Sequence, residues 1–221
     1  MEASKEQIQY IDNSLYKKGI KYWDLRIEMI DHIVSDLEKN LETNDFKKDL
    51  QTSLKRIGWS GNLSHINKAG WQNVNRKYRK IYFKGFVYFF KKPLNTVLFL
   101  IFFSCFFLIS EYLEHTVFLK ISYILFAIPI LGCFYLFFKS WREKLGKSVH
   151  KEYGISYLCF SFVMLNAVLN FVRMEGGFPI EYHNFILLIL IPAHFVLTFS
   201  GYQVYKMAMY RVKEMRKELL S

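Results

Sequence analysis

The chain carries PLNTVLFLIFFSCFFLIS at residues 93–110, with no charged side chain between Lys92 and Glu111. An apolar run of about 18 residues is long enough to cross the hydrocarbon core of a bilayer as an α-helix. The stretch therefore predicts a membrane-spanning helix, and the rest of the sequence is best interpreted around it.

Three further uncharged windows follow, at residues 121–138, 153–172 and 184–205. Each is about as long as the bilayer core requires. The predicted fold class is therefore all-α, with a small cytoplasmic helical bundle followed by a four-helix transmembrane bundle. The predicted divisions are a helical head at 1–62, a basic aromatic juxtamembrane helix at 63–92, four transmembrane helices at 93–205 and a basic cytoplasmic tail at 206–221.

The charges are unevenly distributed along the chain, whose formal net charge is +11. Lys and Arg are frequent between Asp49 and Glu111, where there is no Asp or Glu, and again at 139–152 and in the tail. The connectors at 111–120 and 173–183 are poor in Lys and Arg. Because basic connectors stay on the cytoplasmic side, the sequence predicts a multi-pass protein with both termini and the middle connector in the cytoplasm.

The head predicts three short amphipathic helices. Ser4 followed by Gln7 is a capping-box pattern, and Asn44 or Asp45 can cap the third helix. The second helix has the clearest pattern, with an acidic flank that begins at Asp24 beside one apolar stripe. The stripe consists of Trp23, Ile27, Ile30, Val34, Leu37 and Leu41. We expect a helix of a small bundle rather than a dimeric zipper, and a homo-oligomer stays open.

A second apolar strip lies on the same helix but outside this stripe. It contains Leu25, Met29 and His32, and with Asp36 it is the predicted contact surface for a protein partner. Glu28, His32 and Asp36 are four residues apart and could share a face that holds a metal ion. The sequence offers no second ligand-bearing segment, so we expect no metal there.

Residues 73–92 interleave aromatic side chains with Lys and Arg, as the headgroup layer of a membrane favours. The predicted lipid-headgroup contacts are Arg76, Lys77, Arg79, Lys80, Lys84, Lys91 and Lys92. A basic aromatic strip can also bind single-stranded nucleic acid. Nothing else in the sequence supports that alternative, so the lipid bilayer is the predicted partner and nucleic acid is not.

Polar side chains inside the predicted spans form a second candidate site. His194 lies near the middle of the fourth window, and Asn166 and Asn170 are four residues apart in the third. Such groups either bind a proton, an ion or a small ligand, or hold helices together by hydrogen bonds. Both alternatives stay open. No catalytic motif and no cofactor-binding glycine loop is present, so we predict no enzymatic activity and no cofactor.

The head resembles the HAAS-type, or permease-prefix, helical domain of bacteria over roughly residues 4–60. The matching segments are IEMIDH at 27–32, DLE at 36–38 and LKRIG at 54–58. The resemblance implies a regulatory or signalling protein of the bacterial inner membrane rather than a catalyst. The favoured hypothesis is therefore a regulatory or scaffold protein that binds a partner through its head. The alternative is a small transporter or channel component with a polar site in spans three and four.

Overall fold

The computed structural model describes residues 4–40, 45–61, 63–174 and 176–220. Within these residues the chain forms eight α-helices and no β-strand, which confirms the all-α prediction. The helices are α1 (Lys5–Lys17), α2 (Trp23–Lys39), α3 (Phe46–Arg56), α4 (Ser64–Lys91), α5 (Pro93–Tyr112), α6 (His115–Arg142), α7 (Val149–Arg173) and α8 (Ile180–Leu220).

Two of the predicted helix starts are confirmed by their hydrogen bonds. The Ser4 hydroxyl accepts from the Gln7 amide at 3.3 Å, and the Gln7 side chain accepts from the Ser4 amide at 2.8 Å. The Asp45 carboxylate accepts from the Lys47 amide at 3.0 Å at the start of α3. Leu41 and the alternative cap Asn44 lie outside the described residues.

Four helices in the described part of the chain, α5 to α8, are long and apolar enough to cross a membrane. They contain the four uncharged windows, so the prediction of a multi-pass, α-helical membrane protein is confirmed at that level. Helix α8 continues for 41 residues without a break. Residues 206–220, predicted as a tail, are therefore the extension of the last apolar helix.

The chain divides into two compact units. The first unit gathers residues within 1–76, 146–152 and 212–221, and the second contains 77–145 and 153–211. Side chains from all three parts of the first unit are fully or almost fully buried. They include Ile11, Leu15, Ile33, Leu63, Val149, Val212 and Met215. The core of the first unit is thus assembled from segments that lie far apart in the sequence.

The prediction that Leu25 and Met29 form an exposed apolar strip on α2 is wrong. Leu25 and Met29 are each only 6% exposed, and a methyl group added at Gly70 of α4 would lie 3.0 Å from Leu25 Cδ2. Asp24, predicted to belong to a solvated acidic flank, is 1% exposed. The reason is that α2 packs against α1 and α3 and also meets α4 and residues 146–152 on other sides. The most buried apolar side chains of α2 are Leu25, Met29, Ile30, Ile33 and Leu37, whereas Trp23, Ile27 and Val34 of the predicted stripe are only half-buried.

In the second unit, α7 and α8 approach closely at small residues. A Cβ atom added at Gly201 would overlap the carbonyl oxygen of Tyr157, and one added at Gly154 would lie 2.7 Å from the Cβ of Ala208. Small residues permit this kind of close backbone packing between membrane helices, where dispersion contacts replace the hydrophobic effect. Close van der Waals packing therefore stabilises the contact between α7 and α8.

The second half of α4 packs against the same two helices. Tyr82 is buried, with its ring centroid 5.4 Å from those of Tyr157 and Phe160 in α7. A Cβ atom at Gly85 would lie 3.2 Å from the Ser200 hydroxyl of α8. This part of α4 therefore has one buried aromatic face, and its basic side chains lie on the exposed remainder.

Candidate functional site

The buried carboxylate of Asp24 is the main polar feature of the first unit. Its Oδ2 atom accepts hydrogen bonds from the Ser148 hydroxyl at 2.7 Å and from the His150 amide at 3.0 Å. Its Oδ1 atom accepts from the Leu25 amide at 3.1 Å. A carboxylate buried to this extent is costly unless it is hydrogen-bonded, and these three donors meet that need.

The same contacts explain why α7 begins where it does. The first amide groups of a helix have no partner within the helix, and negative charge is favourable beside them. The Ser148 hydroxyl accepts from the Lys151 amide at 3.1 Å, as an N-cap residue does. Asp24 accepts a hydrogen bond from the His150 amide, so a side chain of α2 completes the cap of α7.

Further contacts join the beginnings of the two helices. The Trp23 amide donates to the Lys147 carbonyl at 3.2 Å, and the Tyr22 hydroxyl donates to Glu152 Oε2 at 3.2 Å. Burial raises the pKa of the Tyr22 hydroxyl, and Glu152 beside it raises this pKa further. We call residues 22–24 together with 147–152 the α2–α7 junction. It joins the N-terminal helices to the beginning of the third apolar helix.

Only part of the predicted partner surface is accessible. His32 is exposed, and its ring meets that of Trp59 edge-on with centroids 6.1 Å apart. Asp36 is half-buried and pairs with Arg56 at 3.5 Å. Since Leu25 and Met29 are buried, a partner that contacts this side of α2 would meet charged and polar groups rather than an apolar strip.

The three intramembrane polar residues are placed differently from one another. His194 is 1% exposed, and its ring stacks on Phe126 with centroids 4.3 Å apart. Asn166 is half-buried and Asn170 is exposed. Among the described residues, neither ring nitrogen of His194 makes a hydrogen bond of good geometry, although the Phe126 backbone lies close to the ring, and His194 is not hydrogen-bonded to either asparagine. What remains of the predicted polar site is a single enclosed imidazole.

The seven basic residues predicted to meet lipid headgroups are all exposed. Four of them, Arg79, Lys80, Lys84 and Lys91, line a groove of about 1030 Å³ that follows α4. Apolar side chains, among them Phe83, Val87 and Tyr88, line it as well. Lys and Arg beside aromatic rings suit the boundary between headgroups and acyl chains, but the contact with lipid stays a prediction.

The α2–α7 junction was not anticipated from the sequence. The pattern Ser148-x-x-Lys151 could have indicated a helix start, because serine is a preferred N-cap residue. No local pattern relates Asp24 to a serine 124 positions away. The junction could only be found in three dimensions.

Fold and site together define an all-α, multi-pass membrane protein in which one of two compact units gathers three separate parts of the chain. Comparisons with models of known protein families, with curated proteins and with solved structures found no match. The resemblance of the head to the permease-prefix domain therefore stays a prediction.

Proposed function

We propose that this chain is a non-enzymatic regulatory or scaffold protein of the bacterial inner membrane, whose N-terminal helical unit binds a protein partner in the cytoplasm. One observation carries the proposal. Asp24 of α2 caps the beginning of α7, so the helices that would receive a partner are hydrogen-bonded to a membrane helix. An N-terminal helical domain joined to the membrane helices only by a flexible linker would need no such contact.

The three segments that form the first unit support the proposed topology. Residues 146–152 and the end of α8 belong to the same compact unit as the N-terminal helices. Segments that pack into one unit must lie on the same side of the membrane. This requires an even number of spans between one segment and the next. All three are close to Lys- and Arg-rich sequence, which favours the cytoplasmic side.

Membrane-impermeant thiol labelling of intact cells tests this topology. In a background without the native cysteines, Tyr112→Cys is expected to react from outside and Lys217→Cys only after the cells are opened. Both positions are exposed. Labelling of the two cysteines under the same conditions would contradict the arrangement.

The charges on the exposed side of α2 support a basic partner. Asp31, His32, Ser35 and Glu38 are all exposed and lie on one side of α2. Two carboxylates on one exposed edge attract a basic segment through charge complementarity, which mainly increases the association rate. The proposed partner is therefore a protein with a Lys- or Arg-rich contact surface.

Photo-crosslinking followed by hydrogen exchange tests the role in two steps. A photoreactive amino acid at His32 is expected to capture a basic protein in cells, whereas the same group at the exposed Gln9 of α1 serves as the control. The captured protein is then purified and added to the full chain. It should change amide exchange at residues 146–152 in the wild type and leave that segment unchanged in Asp24→Ala.

The possible outcomes differ clearly. Equal capture of the same protein from both positions would contradict a specific surface on α2. Capture of the chain itself from His32 alone would instead indicate a homo-oligomeric scaffold. A specific partner that changes exchange at 146–152 equally in Asp24→Ala would contradict transmission through the junction.

A small transporter or channel component is the second candidate function. The observation in its favour is the enclosed His194, because an ionisable group inside a membrane helix is costly to retain without a role. Proteoliposomes with a proton gradient test it. If wild-type protein dissipates the gradient and His194→Leu does not, the transporter hypothesis replaces the regulatory one.

A further inference from the structure

Two histidines meet where α6 and α8 begin. His115 is the first residue of α6, and His183 lies in the first turn of α8. Their ring centroids are 5.5 Å apart, and the ring planes are inclined by 35°. Both belong to the second unit, and neither forms part of the sites described above.

The hydrogen bonds of the two rings determine which nitrogen of each carries the proton. His115 Nδ1 lies 2.9 Å from Asn184 Oδ1. An amide oxygen only accepts hydrogen bonds, so Nδ1 carries the hydrogen and Nε2 of His115 has a free lone pair. His183 Nε2 lies 2.8 Å from the Phe178 carbonyl oxygen. By the same argument, Nε2 of His183 donates and its Nδ1 has the lone pair.

The Nδ1 atom of His183 accepts no hydrogen bond from the described residues. The side chain is 8% exposed, and this nitrogen is buried. Buried polar atoms are nearly always paired, so an unpaired one requires an explanation, and a bound ion is one that suits an imidazole nitrogen. One ring thus has an enclosed, unused acceptor beside a second ring that also has an available nitrogen.

Both rings make the second hydrogen bond that is typical of metal-binding histidines. Such rings usually donate their other N–H to a carbonyl or a side-chain oxygen, which fixes the tautomer and the ring orientation. Two imidazoles that bind one tetrahedral ion at about 2.1 Å have ring centroids about 5 Å apart. The observed separation of 5.5 Å is close to that value.

We propose that His115 and His183 bind one divalent transition-metal ion, with Zn²⁺ as the preferred ion. Imidazole nitrogen suits Zn²⁺, Cu²⁺ and Ni²⁺, whereas Ca²⁺ and Mg²⁺ require oxygen ligands. No third His, Cys, Asp or Glu is grouped with the pair in the described residues, so water completes the coordination. The N-termini of α6 and α8 disfavour a cation, and the exposed carboxylates of Glu114 and Glu181 at these ends oppose that effect.

On the proposed topology, His115 and His183 lie on the non-cytoplasmic side of the membrane. The pair joins the ends of two spans, so an ion that binds there would hold α6 and α8 in one arrangement. The proposal does not depend on the regulatory function, because the two histidines bind the ion whether or not the N-terminal unit has a partner.

Zinc titration of the full chain tests the proposal. Protein in detergent micelles, freed of metal by a chelator and of any affinity tag, is titrated with Zn²⁺ against a fluorescent competitor. One ion is expected to bind per chain. His115→Gln and His183→Gln should each weaken binding by at least about tenfold, while His65→Gln, at an exposed histidine of α4, should leave it unchanged.

His183→Gln retains an N–H group that can donate to the Phe178 carbonyl, so the variant separates loss of the ligand from loss of the fold, which circular dichroism checks. Asn184→Leu keeps both lone pairs but removes the oxygen that orients His115, and it should weaken binding less than His115→Gln does. Co²⁺ in place of Zn²⁺ should show the visible absorption of a tetrahedral site in the wild type. Undiminished zinc affinity in both Gln variants, or no binding by the wild type, would overturn the proposal.

Discussion

Removal of the Asp24 carboxylate should weaken the first unit more than removal of any exposed acid on the same helix. Two hydrogen bonds join Asp24 to the beginning of α7, one from the Ser148 hydroxyl and one from the His150 amide. A hydrogen bond to a charged group contributes about 1.5–3 kcal/mol. Water can reach the vacated space and restore part of this, so we expect Asp24→Ala to lower the free energy of unfolding by about 3 kcal/mol.

A double-mutant cycle with Ser148→Ala separates the direct contact from other effects. The Ser148 hydroxyl donates to Asp24 and also accepts from the Lys151 amide, so Ser148→Ala removes both hydrogen bonds. Because the two substitutions remove one shared contact, the double variant should be about 1–2 kcal/mol more stable than the sum of the single effects indicates. Asp31→Ala, at an exposed position of α2, is the matched control and should change stability by at most about 0.5 kcal/mol.

The free energies can be measured by reversible unfolding in mixed micelles of increasing SDS content. Tryptophan fluorescence includes a signal from the junction, because Trp23 is one of the four tryptophans and its ring lies beside Gly146, where an added Cβ would be 3.4 Å from Trp23 Cδ1. Hydrogen exchange at the His150 amide gives an independent measure of local opening. A coupling energy near zero, or a loss in Asp31→Ala equal to that in Asp24→Ala, would refute the role assigned to Asp24.

Three further predictions concern other parts of the molecule. Gly201→Val should force α7 and α8 apart and lower the free energy of unfolding by about 1–3 kcal/mol. Gly132→Ala in α6, where an added Cβ meets open space, should be tolerated. Thermal unfolding in detergent compares the two variants. His194→Leu should raise the free energy of unfolding by about 1–3 kcal/mol, because it removes a buried imidazole that makes no hydrogen bond of good geometry. A destabilised variant would show instead that the contact of the ring with the Phe126 backbone is stabilising. The pKa of Tyr22 is raised in the folded state, so its contribution is present below pH 10.0 and is lost as the pH rises through the folded-state pKa. Unfolding curves measured at alkaline pH should therefore depend less on pH in Tyr22→Phe than in the wild type, and equal slopes would count against the contact with Glu152.

The apolar helices and the local helix starts could be predicted from the sequence because their causes are local. An uncharged run of bilayer length needs no knowledge of distant residues, and the Ser4–Gln7 capping box involves neighbours three apart. These predictions hold at the level of helix type and approximate extent. The start of α8 at Ile180 and its extension to Leu220 exceed the uncharged window, because polar residues can continue a helix that apolar residues begin.

The environment of α2 could not be predicted in the same way. Its periodicity indicates one buried stripe, yet Leu25 and Met29 outside the stripe are more deeply buried than Trp23, Ile27 and Val34 within it. Asp24 is hydrogen-bonded to residues more than a hundred positions away. Hydrophobic periodicity describes a helix with one covered side. A helix covered by distant segments shows the same local sequence, so the sequence pattern assigns Leu25 and Met29 to a partner surface although both belong to the core.

The origin of the first unit in three parts of the chain affects the order in which the protein can be completed. During synthesis the N-terminal helices emerge first, but Val149, Val212 and Met215, which fill their core, follow only after two and then four apolar helices have been made. A ribosome-bound chain therefore carries these helices with part of their apolar surface uncovered. If one span inserts in the wrong direction, residues 146–152 or 212–220 reach the opposite side of the membrane and the core cannot close. Chains with this error would keep an open, protease-sensitive N-terminal unit, so closure of the unit distinguishes correctly inserted chains from the rest.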